Sequence, residues 1–161
     1  MIEITIAKSF EEIDKEKFAQ LVQSGFNKFL IPGYFSETNP EYICLAMTNG
    51  HYIGAIVVES IPGLEGVSYL DKIVVAHEHK GNGLGKMLWE HLNGTSQKVI
   101  WRAKKENPII DFYRKKSSGT LSFPDITDFM FFYYGLTSKE LEKALTYVIG
   151  KKPNLVEVKP S

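Results

Sequence analysis

Ile2, Ile4 and Ile6 alternate with polar residues, the period of two that predicts a strand with one buried face. Ser9 and Glu12 then have the spacing of a capping box and predict a helix with Ile13, Phe18, Leu21 and Val22 on its apolar side. Residues 26–40 are rich in Gly, Pro, Asn and Phe and read as a loop or short broken helices. Two apolar runs, 42–48 and 52–59, flank Asn49-Gly50, a dipeptide that favours a tight hairpin. A third strand is predicted over 67–76. Leu84, Leu88 and Leu92 are spaced by four and mark one face of a helix. A short strand follows over 99–103, and a helix over 107–116 with Pro108 in its first turn. The segments 120–123 and 129–134 are aromatic and strand-prone. Thr137 and Glu140 form a second capping box, opening a helix with Leu141, Leu145, Val148 and Ile149. This pattern predicts a mixed α/β domain with a mainly antiparallel central sheet flanked by helices. Residues 1–150 read as a single domain, and Lys151-Lys152-Pro153-Asn154 opens a stretch, 151–161, that reads as a tail.

Composition narrows the class. The chain has 161 residues, the size of one ordinary domain, with 19 Lys+Arg balancing 19 Asp+Glu. A neutral chain is a poor match for a polybasic nucleic-acid binder, and its aromatics are not interleaved with basic residues. One cysteine, Cys44, cannot form an internal disulfide, which fits a reducing compartment. No apolar run is long enough to cross a bilayer, and Met1-Ile2-Glu3-Ile4 lacks the basic start of a signal peptide. A cytoplasmic protein without a membrane partner is the expectation.

The segment Lys80-Gly81-Asn82-Gly83-Leu84-Gly85 lies between a predicted strand and a predicted helix. Such a loop lets the backbone approach a phosphate, and the first helical N–H groups face it with the positive end of the helix dipole. Gly85-Lys86 is followed by Met87, so the hydroxyl of a P-loop is missing. The third glycine comes one residue too soon for a dinucleotide fingerprint. The loop resembles the acetyl-CoA loop of the GCN5-related N-acetyltransferases, with Lys80 where those have Gln or Arg. Its surroundings sharpen the resemblance: Tyr69-Leu70-Asp71-Lys72-Ile73-Val74-Val75 before it and Leu88-Trp89-Glu90-His91-Leu92 after it. Then come Trp101-Arg102, Asn107-Pro108-Ile109, Phe112-Tyr113, Ser118-Gly119 and Phe132-Tyr133-Tyr134-Gly135-Leu136. Over residues 69–136 this succession is similar to the acetyltransferase domain of vertebrate-type N-acetylglutamate synthases, a domain also fused to fungal and some bacterial acetylglutamate kinases.

The resemblance implies an acetyl-CoA-dependent N-acetyltransferase acting on the α-amine of L-glutamate or a similar small acidic amino acid. Another amine, or a non-catalytic acyl-CoA- or amino-acid-binding module, are the alternatives. It implies that Lys80, Gly81, Asn82, Gly83, Leu84 and Gly85 cradle the cosubstrate's pyrophosphate. It also implies that the backbone at Val74 and Val75 meets the cosubstrate's arm and thioester. Tyr113 is the implied acid that protonates the departing thiolate, and Asn107 the implied donor to a carbonyl. Asn107 is equally suited to capping a helix before Pro108. Lys72 and Arg102 are candidates for gripping the substrate's carboxylates, and salt-bridged side chains are the plain alternative. Residues 98–116 hold seven basic and two acidic side chains, a local +5 suited to an anionic partner. His77 and His79 lack the Cys or carboxylate neighbours of a metal site, so no metal is expected. No base is identifiable. A homo-oligomer and association with a separate subunit both remain open.

Overall fold

β1 (Glu3–Ala7) forms where the period-two pattern places it. The computed structural model describes residues 1–160. Ser9 does not open a long helix. It precedes a single turn of 3₁₀ helix, Phe10–Glu12, and its side chain makes no cap bond. Asp14 caps α1 (Lys15–Phe26) instead, accepting from the Lys17 N–H at 3.0 Å. Asp14 is a strong cap in its own right, and it lies at the point where the apolar periodicity begins. The predicted irregular stretch holds β2 (Phe29–Leu30) and the short α2 (Tyr34–Glu37).

β3 (Pro40–Thr48) and β4 (His51–Ile61) form the predicted hairpin. Asn49 and Gly50 both have positive φ, 50° and 77°, as a two-residue turn of this hand requires. β5 (Leu64–Val75) is the third strand. α3 (Leu84–Thr95), β6 (Val99–Lys104), α4 (Ile110–Lys116) and β7 (Gly119–Ser122) follow. β8 (Phe129–Tyr134), α5 (Ser138–Ile149) and β9 (Leu155–Val156) complete the chain. Antiparallel pairing joins β1 to β3, β3 to β4, β6 to β8 and β7 to β8. One parallel pairing, Ser68↔Val99 and Tyr69↔Ile100, joins β5 to β6. The sheet is therefore mixed and mainly antiparallel, with helices flanking it. Among the described residues, no helix is long and apolar enough to cross a membrane.

The chain divides into two units. The first holds Met1–Glu59, Asp71–Thr95 and the residues from Lys152 onward. Its core sets Phe18, Leu21 and Val22 of α1 against Ile43 and Leu45 of β3 and Ala55 and Val57 of β4. Burial on this scale is the main favourable contribution to folding. On α3, Leu84, Leu88 and Leu92 are all buried, as their spacing predicts. Gly54 of β4 lets α3 approach, because a Cβ there would lie 2.9 Å from Leu88 Cδ1. The second unit holds Ser60–Leu70 and Ser96–Lys151. Its core gathers Tyr69, Ile100 and Phe131 under Ala144 and Val148 of α5. The capping box of α5 is complete: Thr137 accepts from the Glu140 N–H, and Glu140 accepts from the Thr137 N–H.

Residues 154–156 are paired with the rest of the fold rather than trailing as a tail. β9 pairs antiparallel with β2 through Leu30↔Leu155 and Phe29↔Val156. The Ile31 N–H donates to the Asn154 carbonyl at 3.0 Å.

Candidate active site

The glycine loop leaves β5 at Val75, turns through a 3₁₀ helix at His77–His79 and enters α3 at Leu84. Gly81 and Gly83 have φ of 83° and 82°, a region that side chains other than glycine's seldom enter. A Cβ at either position would meet nothing within 4 Å, so the loop presents open backbone. The first N–H groups of the 12-residue α3 follow at once. This is the shape and polarity a pyrophosphate needs, so the residues present fit the cosubstrate. Asn82 is exposed, Leu84 is buried in the helix face, and Gly85 lies beside Val75, whose Cγ2 is 3.9 Å from its would-be Cβ.

Lys80 keeps its backbone in the cradle but sends its ammonium elsewhere. Nζ donates to the Gly25 carbonyl at 2.6 Å, at the carboxyl end of α1. A cation is favoured there by the helix dipole. Gly25 in turn has no room for a side chain, because a Cβ would sit 2.6 Å from the Val75 carbonyl oxygen and against Val74. The His77 N–H donates to Ser24 Oγ at 2.9 Å. So α1, the end of β5 and the start of the loop are stitched together. Val74 is buried and Val75 half-buried, and both lie past Tyr69, the last residue of β5 paired with β6.

Lys72 is buried rather than presented to solvent. Its ammonium donates to Asn154 Oδ1 at 2.6 Å, stands 3.7 Å from Asp71 Oδ2, and lies 5.0 Å from the centre of the Tyr34 ring. Asp71 is equally enclosed. Its Oδ2 accepts from the Tyr34 hydroxyl at 2.7 Å and its Oδ1 from Asn154 Nδ2 at 2.8 Å. Tyr34, Asp71 and Asn154 were not singled out from the sequence. Nothing local signals them, since Asn154 is 83 residues from Asp71.

In the second unit, Asn107 closes the turn into α4. Its Oδ1 accepts from the Ile109 N–H at 3.0 Å and its carbonyl from the Ile110 N–H at 3.1 Å. Asn107 is therefore not the cap of α4, which is Ile109 with no side-chain cap bond; its carboxamide closes the turn just ahead of the helix. Tyr113 lies on α4 with 7 % of its surface exposed. It meets Trp101 edge-on at 5.7 Å between ring centres and Phe132 at 5.5 Å. Burial pushes its phenol well above the ordinary tyrosine range. Arg102 donates through one guanidinium nitrogen to the carbonyls of Val148 at 3.1 Å and Lys151 at 2.7 Å. Its guanidinium lies 4.2 Å from the Phe129 ring centre. Both candidate carboxylate grips are thus engaged by protein oxygens.

His77 and His79 stand on the 3₁₀ turn, and among the described residues no three His, Cys, Asp or Glu side chains group to hold a metal ion.

The mixed sheet, the glycine loop and the helix behind it have the fold of the GCN5-related acyl-CoA N-acyltransferases. The fold matches that of the ribosomal-protein-S18-alanine N-acetyltransferase from Escherichia coli. The TM-score is 0.63 at 15 % identity, covering 86 % of this chain and 97 % of that one. It matches PaiA N-acetyltransferase from Thermoplasma acidophilum, a structure in complex with coenzyme A. There the TM-score is 0.56 at 15 % identity, covering 82 % and 99 %. The chain belongs to the family described as NAT, the N-acetyltransferase of N-acetylglutamate synthase, whose model matches residues 5–151. That span takes in the first strands, which the sequence resemblance over 69–136 did not reach. Human mitochondrial N-acetylglutamate synthase is 34 % identical over 129 residues, 80 % of this chain and 23 % of that protein. The chain spans about a quarter to a third of the length of the curated relatives it matches. It is an N-acetyltransferase domain, and acetyltransferases of this class take their acetyl group from acetyl-CoA, as the loop led us to expect.

Proposed function

We propose that the chain transfers an acetyl group to the α-amine of L-glutamate or a similar small acidic amino acid. The observation that carries this reading is the block Trp101-Arg102, Asn107-Pro108-Ile109 and Phe112-Tyr113, which lies within the span matched by the family model. Bound acetyl-CoA would supply an acetyl thioester. The open backbone at Gly81 and Gly83, with the N–H groups at the start of α3, holds its pyrophosphate. The backbone of Val74 and Val75 meets its arm and offers N–H groups to the thioester oxygen, whose charge grows during transfer. Asn107 offers its amide to a carbonyl of the bound molecules.

Tyr113 holds the proton that the departing thiolate needs. A phenol raised by burial stays protonated throughout the working pH range. It is a weaker acid for that reason. Water exclusion raises the thiolate's proton affinity as well, so donor and acceptor stay matched. Lys72 and Arg102 grip the acceptor's carboxylates. Each exchanges a neutral protein oxygen for a charged one, and hydrogen bonds between two ions are roughly twice as strong as neutral ones.

The test is thiol release from acetyl-CoA with purified protein and millimolar glutamate. Release that depends on glutamate supports the reading, and none above background overturns the glutamate assignment. The engagement of Lys72 and Arg102 by protein oxygens favours one second reading, a different amine as acceptor. A panel of amines in the same assay separates the two.

A further inference from the structure

The Asn154 carboxamide bridges two opposite charges. Its oxygen takes the Lys72 ammonium and its nitrogen donates to the Asp71 carboxylate. An α-amino acid carries the same pair of groups side by side, an oxygen acceptor on its carboxylate and an N–H donor on its amine. A carboxylate alone does not fit, because its second oxygen would face Asp71. We infer that Asp71 and Lys72 read the α-amino-acid head of the acceptor, and that Asn154 is a stand-in the acceptor must displace. This deepens the proposed function and rests on it.

The Lys72 and Asp71 side chains are each only 2 % exposed, so a ligand reaches them only when Asn154 leaves. What holds Asn154 in place is local to β9 and its neighbours. β9 has two residues, and the Lys152–Glu37 ion pair beside it is mostly exposed, at 67 % and 51 %. Exposed pairs of that kind contribute little. Further tethers are the Ile31 N–H bond to the Asn154 carbonyl and the packing of Leu155 against the first unit's core. Departure therefore opens one two-residue ladder and lifts Leu155 from the edge of the first unit's core. A neutral amide also binds Lys72 less strongly than a charged carboxylate does, so the acceptor has the advantage once it arrives. An α-amine N–H can donate to Asp71 whether the amine is charged or neutral. Tyr34 keeps the Asp71 carboxylate oriented through the exchange.

Two measurements test this. Amide hydrogen exchange on the wild-type chain, with and without saturating glutamate, reads the Ile31 N–H directly. Exchange at Ile31 should quicken with glutamate while the amides of α3 do not. Asn154→Ala should lower the KM for glutamate by about fivefold, because removing a self-occupant raises the fraction of competent sites. The change should appear in KM rather than kcat. A KM that is unchanged or raised, or Ile31 exchange that is unchanged or slowed, overturns the inference. Wild-type turnover is recorded in the same samples. Turnover with unaltered Ile31 exchange removes the stand-in alone. Absence of turnover removes the acceptor reading and the stand-in with it.

Discussion

The Lys80 ammonium donates to the Gly25 carbonyl at 2.6 Å, fastening the glycine loop to the last turn of α1. A long cation at residue 80 thus has a helix end to neutralise, and the loop gains an anchor that does not depend on a bound ligand. Lys80→Met keeps the length and removes the charge. We expect a raised KM for acetyl-CoA and faster amide exchange at 81–83, with kcat less affected. Hydrogen exchange and steady-state kinetics check both.

Gly83 has a φ of 82° with open space beside it. Ala fits sterically there but pays for the left-handed backbone, about 1–2 kcal/mol. Gly83→Ala should lower the unfolding free energy by that order and weaken acetyl-CoA binding. Denaturant unfolding and titration calorimetry measure the two separately.

Tyr113→Phe should cut kcat by roughly 10²–10⁴. Folding should survive, because the ring contacts with Trp101 and Phe132 remain. The pH dependence carries a sign. The buried phenol sits above the ordinary value of 10.0, so its proton-bearing form persists through that pH. The wild-type kcat should therefore show no loss at pH 10 from this residue. The same raised value means that folding stability falls as pH climbs past 10.0, where the unfolded tyrosine ionises first.

Arg102 joins β6 to the residues that end α5 through two carbonyls. Lysine has no planar fork and stacks poorly on Phe129. Arg102→Lys should destabilise the protein by roughly 1–3 kcal/mol in thermal or chemical unfolding.

Lys98 holds the Glu140 carboxyl below its usual value of 4.5, chiefly by the 2.8 Å hydrogen bond between them, with the Thr137 N–H adding to it. A lowered value stabilises the fold above pH 4.5, and that contribution is lost as pH falls. Glu140→Gln should flatten the acid limb of the stability profile. Unfolding midpoints across pH 3–6 are the measurement.

Much of this architecture is legible in the sequence because its signals are local. Asn49-Gly50 specifies its hairpin, Thr137 and Glu140 specify a helix start, and Leu84, Leu88 and Leu92 specify a buried face. Ser9 and Glu12 misled because a single 3₁₀ turn needs the same spacing as a longer helix, and Asp14 competes as the cap. Residues after 151 misled for another reason. Lys, Pro and Asn announce a break, whereas the pairing of β9 with β2 depends on residues over a hundred positions away. The glycine loop was visible as a motif. The enclosure of Lys72 was not, because its partner Asn154 is 82 residues distant and no periodicity encodes such a contact. Cys44 reads as a lone thiol in both views. The structure adds that it is fully buried and that desolvation lifts it to about 11, which leaves it inert at neutral pH.

Gly25 turns the seam between α1 and β5 into a clearance gauge. The Val75 carbonyl lies so near that one added methyl would act as a wedge, prising the helix from the strand. The Lys80 anchor is fixed to that same residue, so the wedge would drag the loop with it. A single carbon atom at residue 25, far from any reacting bond, would then be felt as looser grip on the cosubstrate.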